Sequence, residues 1–518
     1  MSINAINIVY RYKGFDREKN ESLFNPNQKG VFDLKRKIAF AILSGLLTAS
    51  VFVGAGSFVS AKSSSSPYLV VFKKDLPSDY EATIEEAGGE VVRALPEIGA
   101  VEVQSNDRNF LKNLKGVRGI QAANIAFTHK LDYKKIDRSA ADGQPVTDIP
   151  QPEDIDSYWD YQWDIQRITN DGKSYDIETG GTSRKHKAVV GVIDSGIDPD
   201  HPDLRDNLLG GMNFVPAGID SSETGDPDDI RDRDGHGTHV AGSIAGNGKI
   251  KGVGPNLGLR VYRVFPENDG APTSWIAAAI IQAADDRVDV INMSIGGFDA
   301  ISRYTFQGEG NYNDVADVLL WKRAIDYAVK KGVTIVVAAG NESLNLNNPT
   351  EITKYMNQEY GYLGFKFRGA SKEVPGQIPG VITVSSSVQW SEDEIAFYSN
   401  YGASTIDVAA PGGDNGPIYA KTGDLDQRDF HYRTLSTWPT YLDPYFTSDL
   451  HDYALLHGTS MASPKVAGIA GVIKAANPGL KPNQLANLIK KTAIDMGKKG
   501  NDHYFGAGEA NAYNALKK

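Results

Sequence analysis

The chain has 518 residues, 41% of them hydrophobic, enough for a packed core and for two or three domains of ordinary size. Its net charge of −11 argues against a general nucleic-acid binder, which normally carries a basic face. With no cysteine, disulfides, thiolate catalysis and cysteine-ligated zinc are all excluded.

Lys35, Arg36 and Lys37 precede an apolar run, 38–59, that closes on Val59, Ser60 and Ala61. A basic start, an apolar middle and a small-residue exit form the pattern of a secretory signal. The same run is long enough for an uncleaved membrane anchor, an alternative weakened by Ser44, Gly45, Thr48, Ser50, Gly54 and Gly56. In both readings the basic cluster stays inside and the remainder lies outside. Residues 1–61 are therefore assigned to an extended N-terminus and signal segment.

Within 62–130 the pattern predicts strands at 68–72, 90–94, 100–103 and 119–127, with helices at 80–87 and 107–114. This β-α-β-β-α-β order makes a small α+β unit, which by itself carries no activity. Composition shifts to Asp, Pro, Gln and Lys over 131–158, read as an exposed linker. From 159 to 518, strands are predicted at 188–193, 261–264, 288–293 and 333–338. Helices are predicted at 239–245, 316–331, 460–476 and 482–492. Such alternation implies an α/β domain of three layers, a mainly parallel sheet with helices on both sides. The unbroken apolar run 188–193 fits a strand buried on both faces.

Four segments carry chemistry. Asp194, with Ser195 and Gly196, closes a buried strand, at the edge where open α/β sheets bind ligands; an ordinary Asp-Ser-Gly turn is the simpler reading of that segment alone. His236 lies between glycines in Asp234-Gly235-His236-Gly237-Thr238-His239. His239 follows one turn later, but the Glu of a zincin helix is missing, so it is read as structural. Ser460, in Gly458-Thr459-Ser460-Met461, opens an apolar helix whose free N–H groups favour negative charge; a plain helix cap is the alternative. Pro464 is expected in the first turn, the part of a helix that tolerates it. Asn341 stands just past the strand at 333–338, as a strand-end turn or as an amide donor for an oxyanion.

Asp, His and Ser in that order, with a placed Asn, form a combination that resembles the subtilisin-like serine peptidases. The resemblance covers 159–518 through 192–197 (VIDSGI), 236–242 (HGTHVAG), 294–297 (SIGG), 339–341 (AGN) and 458–464 (GTSMASP). It implies catalytic roles for Asp194, His236 and Ser460, and an oxyanion hole of Asn341 with the Ser460 N–H. Ser294, Ile295, Gly296 and Gly297 would form the substrate strand, facing Ala339 and Gly340. Residues 62–130 resemble the family's inhibitory pro-domain, which makes 131–158 the maturation region. The expected protein is a secreted serine endopeptidase, monomeric, acting on peptides without a catalytic cofactor; a dedicated peptide-processing enzyme and an inactive binding protein are the alternatives. Residues 163–175 also resemble the secreted leader peptidases that mature lantibiotics.

Two departures stand out. The stretch 245–255 is short where many subtilisins wrap a calcium ion, while the acidic run 226–234 offers hard oxygen ligands that would suit one. Insertions at 299–314, 344–373 and 414–456 are expected to border the cleft, bringing Glu342, Glu351, Glu359 and Glu373 near it.

Overall fold

The computed structural model describes residues 65–129, 148–267, 270–444 and 450–518. The signal-like segment therefore lies outside the described residues. Residues 66–518 form one compact unit.

Its first part is an antiparallel sheet of β1 (Ser66–Phe72), β2 (Gly89–Leu95), β3 (Ala100–Ser105) and β4 (Ile120–Ile125), in the order β2-β3-β1-β4. Helices α1 (Tyr80–Glu86) and α2 (Phe110–Asn113) complete the small α+β unit read from sequence.

The main sheet has seven strands: β5 (Val189–Asp194), β6 (Leu208–Asn213), β7 (Gly258–Arg263), β8 (Val290–Met293), β9 (Thr334–Ala338), β10 (Val381–Ser387) and β11 (Val408–Pro411). Their order is β11-β10-β9-β8-β5-β7-β6, and every pairing is parallel. The helices that matter for the site are α3 (Trp163–Thr169), α4 (His236–Ala245), α5 (Thr273–Asp285), α6 (Val315–Lys330) and α7 (Thr459–Ala476).

Alternation within the continuous apolar strands builds two cores, because successive side chains leave a strand on opposite faces. Val290 and Val336 join the core beneath α4 and α7. Ile291, Ile335 and Val337 join the core beneath α5 and α6. The small N-terminal sheet closes the second face, adding Leu69, Val71, Leu95 and Ile98 to that core. Polar anchors fix it there. Arg323 of α6 donates to the carbonyls of Ile98 (2.7 Å) and Phe72 (2.7 Å), and Ser274 of α5 donates to Glu102 (2.8 Å).

Within 148–158, the described end of the segment assigned above to an exposed linker, Asp148, Glu153, Asp154, Asp156 and Ser157 are exposed, but Ile149, Pro152 and Tyr158 are buried. Ile149 and Tyr158 enter a cluster with Phe430, Leu435, Tyr453 and Leu455. Tyr158 N–H donates to Lys249 O, and Lys249 Nζ donates to Pro152 O. The sparse apolar residues of this stretch have no period, so the sequence pattern gives no sign that they are buried.

The insertions are also organised. Gly297–Ala300 pairs with Ser371–Val374, and Arg303–Phe306 pairs with Phe365–Arg368, so the first two insertions form one subdomain. Its core includes Tyr304, Phe365 and Phe367. Phe127, from just beyond β4, packs edge-on against Tyr304 at 5.6 Å. The third insertion makes a hairpin, Thr434–Thr437 with Tyr453–Leu456, that clamps α4. Ser436 and Thr437 donate to the carbonyls of His239 and Thr238, each at 2.8 Å. This hairpin supports the helix that carries His236.

Candidate active site

Strand order reverses beside β5: the chain runs from it to β7 and β6 on one side and to β8–β11 on the other. Ligands of open α/β sheets bind at the carboxyl edge of such a switch point. Asp194 ends β5, Ser294 follows β8, and Ala339, Gly340 and Asn341 follow β9.

His236 opens α4, three residues earlier than the predicted helix start, and its Nδ1 lies 2.8 Å from Asp194 Oδ1. The same oxygen accepts Ser195 N–H at 2.7 Å. Asp194, His236 and Ser460 are all buried. Burial pushes the imidazole toward neutrality, but the charge and hydrogen bond of Asp194 outweigh it, with Asp234 and Asp232 adding to the same effect. The pKa of His236 is therefore raised above its ordinary value. Gly235, at the helix N-cap, has φ +103°, and a Cβ there would lie 2.1 Å from Trp438. Only glycine allows this entry into α4.

Asp232 escaped sequence reading, submerged in the acidic run. It is fully buried. Its Oδ1 accepts Ser195 Oγ (2.9 Å), Asp234 N (3.0 Å) and Gly235 N (2.8 Å); its Oδ2 accepts Thr238 N (2.9 Å) and Thr238 Oγ1 (2.7 Å). One carboxylate thus ties the Asp194 loop to the start of the His236 helix. Asp229 of the same run is paired with Arg233. The oxygens of Asp232 and the paired oxygen of Asp229 are thus engaged by internal donors. Among the described residues no group of three or more His, Cys, Asp or Glu side chains is arranged to hold a metal ion. His239 is structural: its Nε2 faces the carbonyls of Ala454 (3.1 Å) and Thr434 (3.3 Å). Burial, with Lys465 and His236 nearby, pushes its pKa down to about 3.

Ser460 lies in the first turn of α7, and Pro464 lies inside the helix, deeper than expected. A proline there removes the N–H that would bond the carbonyl of Ser460. The structure replaces it: Ser294 Oγ donates to Ser460 O at 2.8 Å and also contacts Ser463 Oγ at 3.0 Å. The Ser460 hydroxyl in turn lies 3.3 Å from Ser294 O. Lys465 Nζ donates to Met461 O (2.9 Å) and pairs with Asp164 of α3 (2.8 Å), both side chains being buried.

Asn341 Oδ1 accepts Thr459 N (2.8 Å) and Thr459 Oγ1 (3.0 Å), which fixes the amide. A Cβ built on Gly458 would lie 3.6 Å from Ser460 N and 3.8 Å from Asn341 Nδ2, so these two donors face one small space. Asn400, also missed in the sequence, braces this turn: its Nδ2 donates to Ala339 O (2.9 Å) and its Oδ1 accepts Leu344 N (2.8 Å).

Of the expected substrate strand, Ile295 turns its side chain into the core, whereas Gly296 and Gly297 are half-buried. A Cβ built on Gly296 would lie 3.7 Å from Glu373 Oε1 and 3.8 Å from Gly340 Cα. Glu373, fully buried, therefore stands at the floor between the two segments that meet beside Ser460. Glu342 contacts Asn400 instead, and Glu351 is bonded to Asn345 and Asn348. A Cβ built on Gly340 would lie 2.8 Å from Glu342 Oε2, so Glu342 also stands beside this segment, held there by Asn400.

A buried Asp–His pair, a serine at a helix start and two converging donors, set on this parallel sheet, define a subtilisin-like serine endopeptidase. The family model described as Subtilase family (Peptidase_S8) matches residues 185–508, and the chain belongs to that family. It is 36% identical over 338 residues to the nisin leader peptide-processing serine protease NisP of Lactococcus lactis subsp. lactis, covering 64% of this chain and 46% of that protein, so it spans about half the length of that relative. It is 28% identical over 489 residues to the epidermin leader peptide-processing serine protease EpiP of Staphylococcus epidermidis, covering 93% of this chain and 99% of that one. The crystal structure of EpiP from Staphylococcus aureus superposes with a TM-score of 0.69 at 27% identity, over 88% of this chain and 98% of that chain.

Proposed function

We propose that this chain is the precursor of a secreted peptide-processing endopeptidase that cuts after a basic residue. The observation that carries the chemistry is the 2.8 Å Asp194–His236 pair beside the helix of Ser460. Ser460 Oγ attacks the scissile carbonyl while His236 Nε2 takes its proton. Asp194 holds the ring in position and stabilises its charged form. Asn341 Nδ2 and Ser460 N–H receive the oxyanion. The C–N bond then breaks, the leaving amine takes the proton from His236, and water hydrolyses the acyl-enzyme by the same route. The scheme requires no cofactor, nucleic acid or second subunit.

Glu373 supports the basic preference. A carboxylate enclosed at the pocket floor gains most by pairing with a cation. Similarity to NisP and EpiP supports leader peptides as the substrate class, and the signal-like segment 35–61 supports export. Residues 66–129 are suited to inhibit, since Thr128–His129 runs antiparallel to Ala271–Pro272 at the edge of the cleft. Matched peptides with Arg, Leu or Glu before the cut test the specificity. Arg is expected to exceed Leu by about tenfold or more in kcat/KM, a ratio that Glu373→Gln should collapse. Equal rates, or a preference for Glu, would reject the basic preference. Labelling of Ser460 by a fluorophosphonate tests the peptidase chemistry separately.

The raised pKa of His236 gives a second expectation. Only neutral imidazole accepts the serine proton, so kcat/KM should rise along an acidic limb centred above the ordinary value of about 6.5. Asp232→Asn removes one of the charges that raise it and should move the limb to lower pH. A wild-type limb at or below 6.5 contradicts this account of the site.

A further inference from the structure

Side-chain donors hold both peptide units that follow Ser460. The carbonyl of Ser460, deprived of a helical partner by Pro464, accepts Ser294 Oγ at 2.8 Å. One residue on, Met461 O accepts Lys465 Nζ at 2.9 Å. Lysine is a costly choice for that place. Lys465 is 0% exposed, on a helix that is buried from Thr459 to Ala475. An ammonium removed from water is strongly penalised unless it is paired and hydrogen-bonded.

The pairing comes from Asp164, itself 1% exposed, whose Oδ2 lies 2.8 Å from Lys465 Nζ. Its other oxygen, Oδ1, makes no hydrogen bond among the described residues, so the carboxylate is committed to Lys465. Two apolar side chains of similar size would fill the same volume at least as favourably. Stability alone therefore does not account for the two charges. Asp164 is also a fixed point. Ile165 and Ile168 bury one face of α3 in the main core. Trp163 Nε1 donates to Arg433 O in the third insertion at 2.9 Å. Arg167 pairs with Glu509 at 2.8 Å and donates to Val388 O, just past β10, at 2.8 Å. These polar ties moor α3 to three segments, none of which belongs to α7.

We propose that Asp164 and Lys465 are positioning residues for the reaction, a buried strut that sets the first turn of α7, and with it Ser460, against the moored helix α3. The lysine stem is flexible and its ammonium has three N–H donors. Asp164 selects the arrangement in which one of them reaches Met461 O. Ser294 and Lys465 then fix two successive peptide units, and so the direction of the serine Oγ. Misplacing a reacting group by about 1 Å can cost about a hundredfold in rate. The inference rests on the peptidase reading above.

The test uses the full chain after it has processed itself, with active sites counted by a fluorophosphonate, at a temperature where circular dichroism shows every variant folded. Asp164→Asn and Lys465→Met each leave one buried group without its partner, and each should lower the Tm and reduce kcat per titrated site by about tenfold or more. KM should stay within about twofold, because neither side chain touches substrate. The double variant, Asp164→Leu with Lys465→Met, separates positioning from packing. Its Tm should return toward the wild-type value, while kcat stays about tenfold down because Met461 O still lacks the ammonium. A double variant that regains kcat, single variants that keep wild-type kcat, or a loss confined to KM would overturn the proposal. Failure of wild-type Ser460 to take the label would instead reject the peptidase reading, so the two failures are distinguishable.

Discussion

Replacing Ser460 by alanine is expected to lower kcat by about 10⁶, the loss known for the nucleophile of subtilisin itself. Oγ is the only atom removed, and it lies 3.3 Å from Ser294 O. The supports of the helix remain, since Ser294 Oγ holds the carbonyl of residue 460 and not its side chain. Folding of the peptidase should therefore survive, as circular dichroism and thermal unfolding would report. The same variant, expressed without other proteases, should keep its N-terminal domain attached. Normal processing, or more than about a hundredth of the wild-type kcat, would contradict the assignment of the nucleophile.

Asn341→Leu is the second large effect. The expected loss is about 10²–10³ in kcat with little change in KM, again the magnitude known for the equivalent donor of subtilisin. KM should hold because the amide N–H meets its oxygen fully only in the tetrahedral state. Leucine keeps the volume but loses both the donor and the acceptor that fixes Thr459. A raised KM with kcat intact would assign Asn341 to ground-state binding instead.

Much of this was legible because its signals are local. A strand buried on both faces must be continuously apolar, so 188–193 was visible. Asp194, His236 and Ser460 stand where elements begin or end, beside glycines that allow close approach. The edge strand Leu208–Asn213 was not read, because Gly210 and Gly211 interrupt its apolar residues. Helix α5 was missed as well: nearly every face of Thr273–Asp285 is buried, which erases the helical period that exposed helices show. Asp232 and Asn400 were the hardest. Each acts through partners distant in sequence, and in a list of residues a buried carboxylate looks the same as a solvated one. Pairing between the first two insertions was hidden for the same reason, since register depends on neighbours brought together only by folding.

The bond between Ser294 and the carbonyl orphaned by Pro464 has a mechanical consequence. The strut that steadies the nucleophile belongs to the segment read from sequence as the substrate strand, the rail along which a peptide would be threaded. A substrate seated out of register would tug on that rail and tilt the serine away from its line of attack. Misfitting peptides would then be discriminated in turnover more than in affinity, and the enzyme could hold a wrong sequence without cutting it.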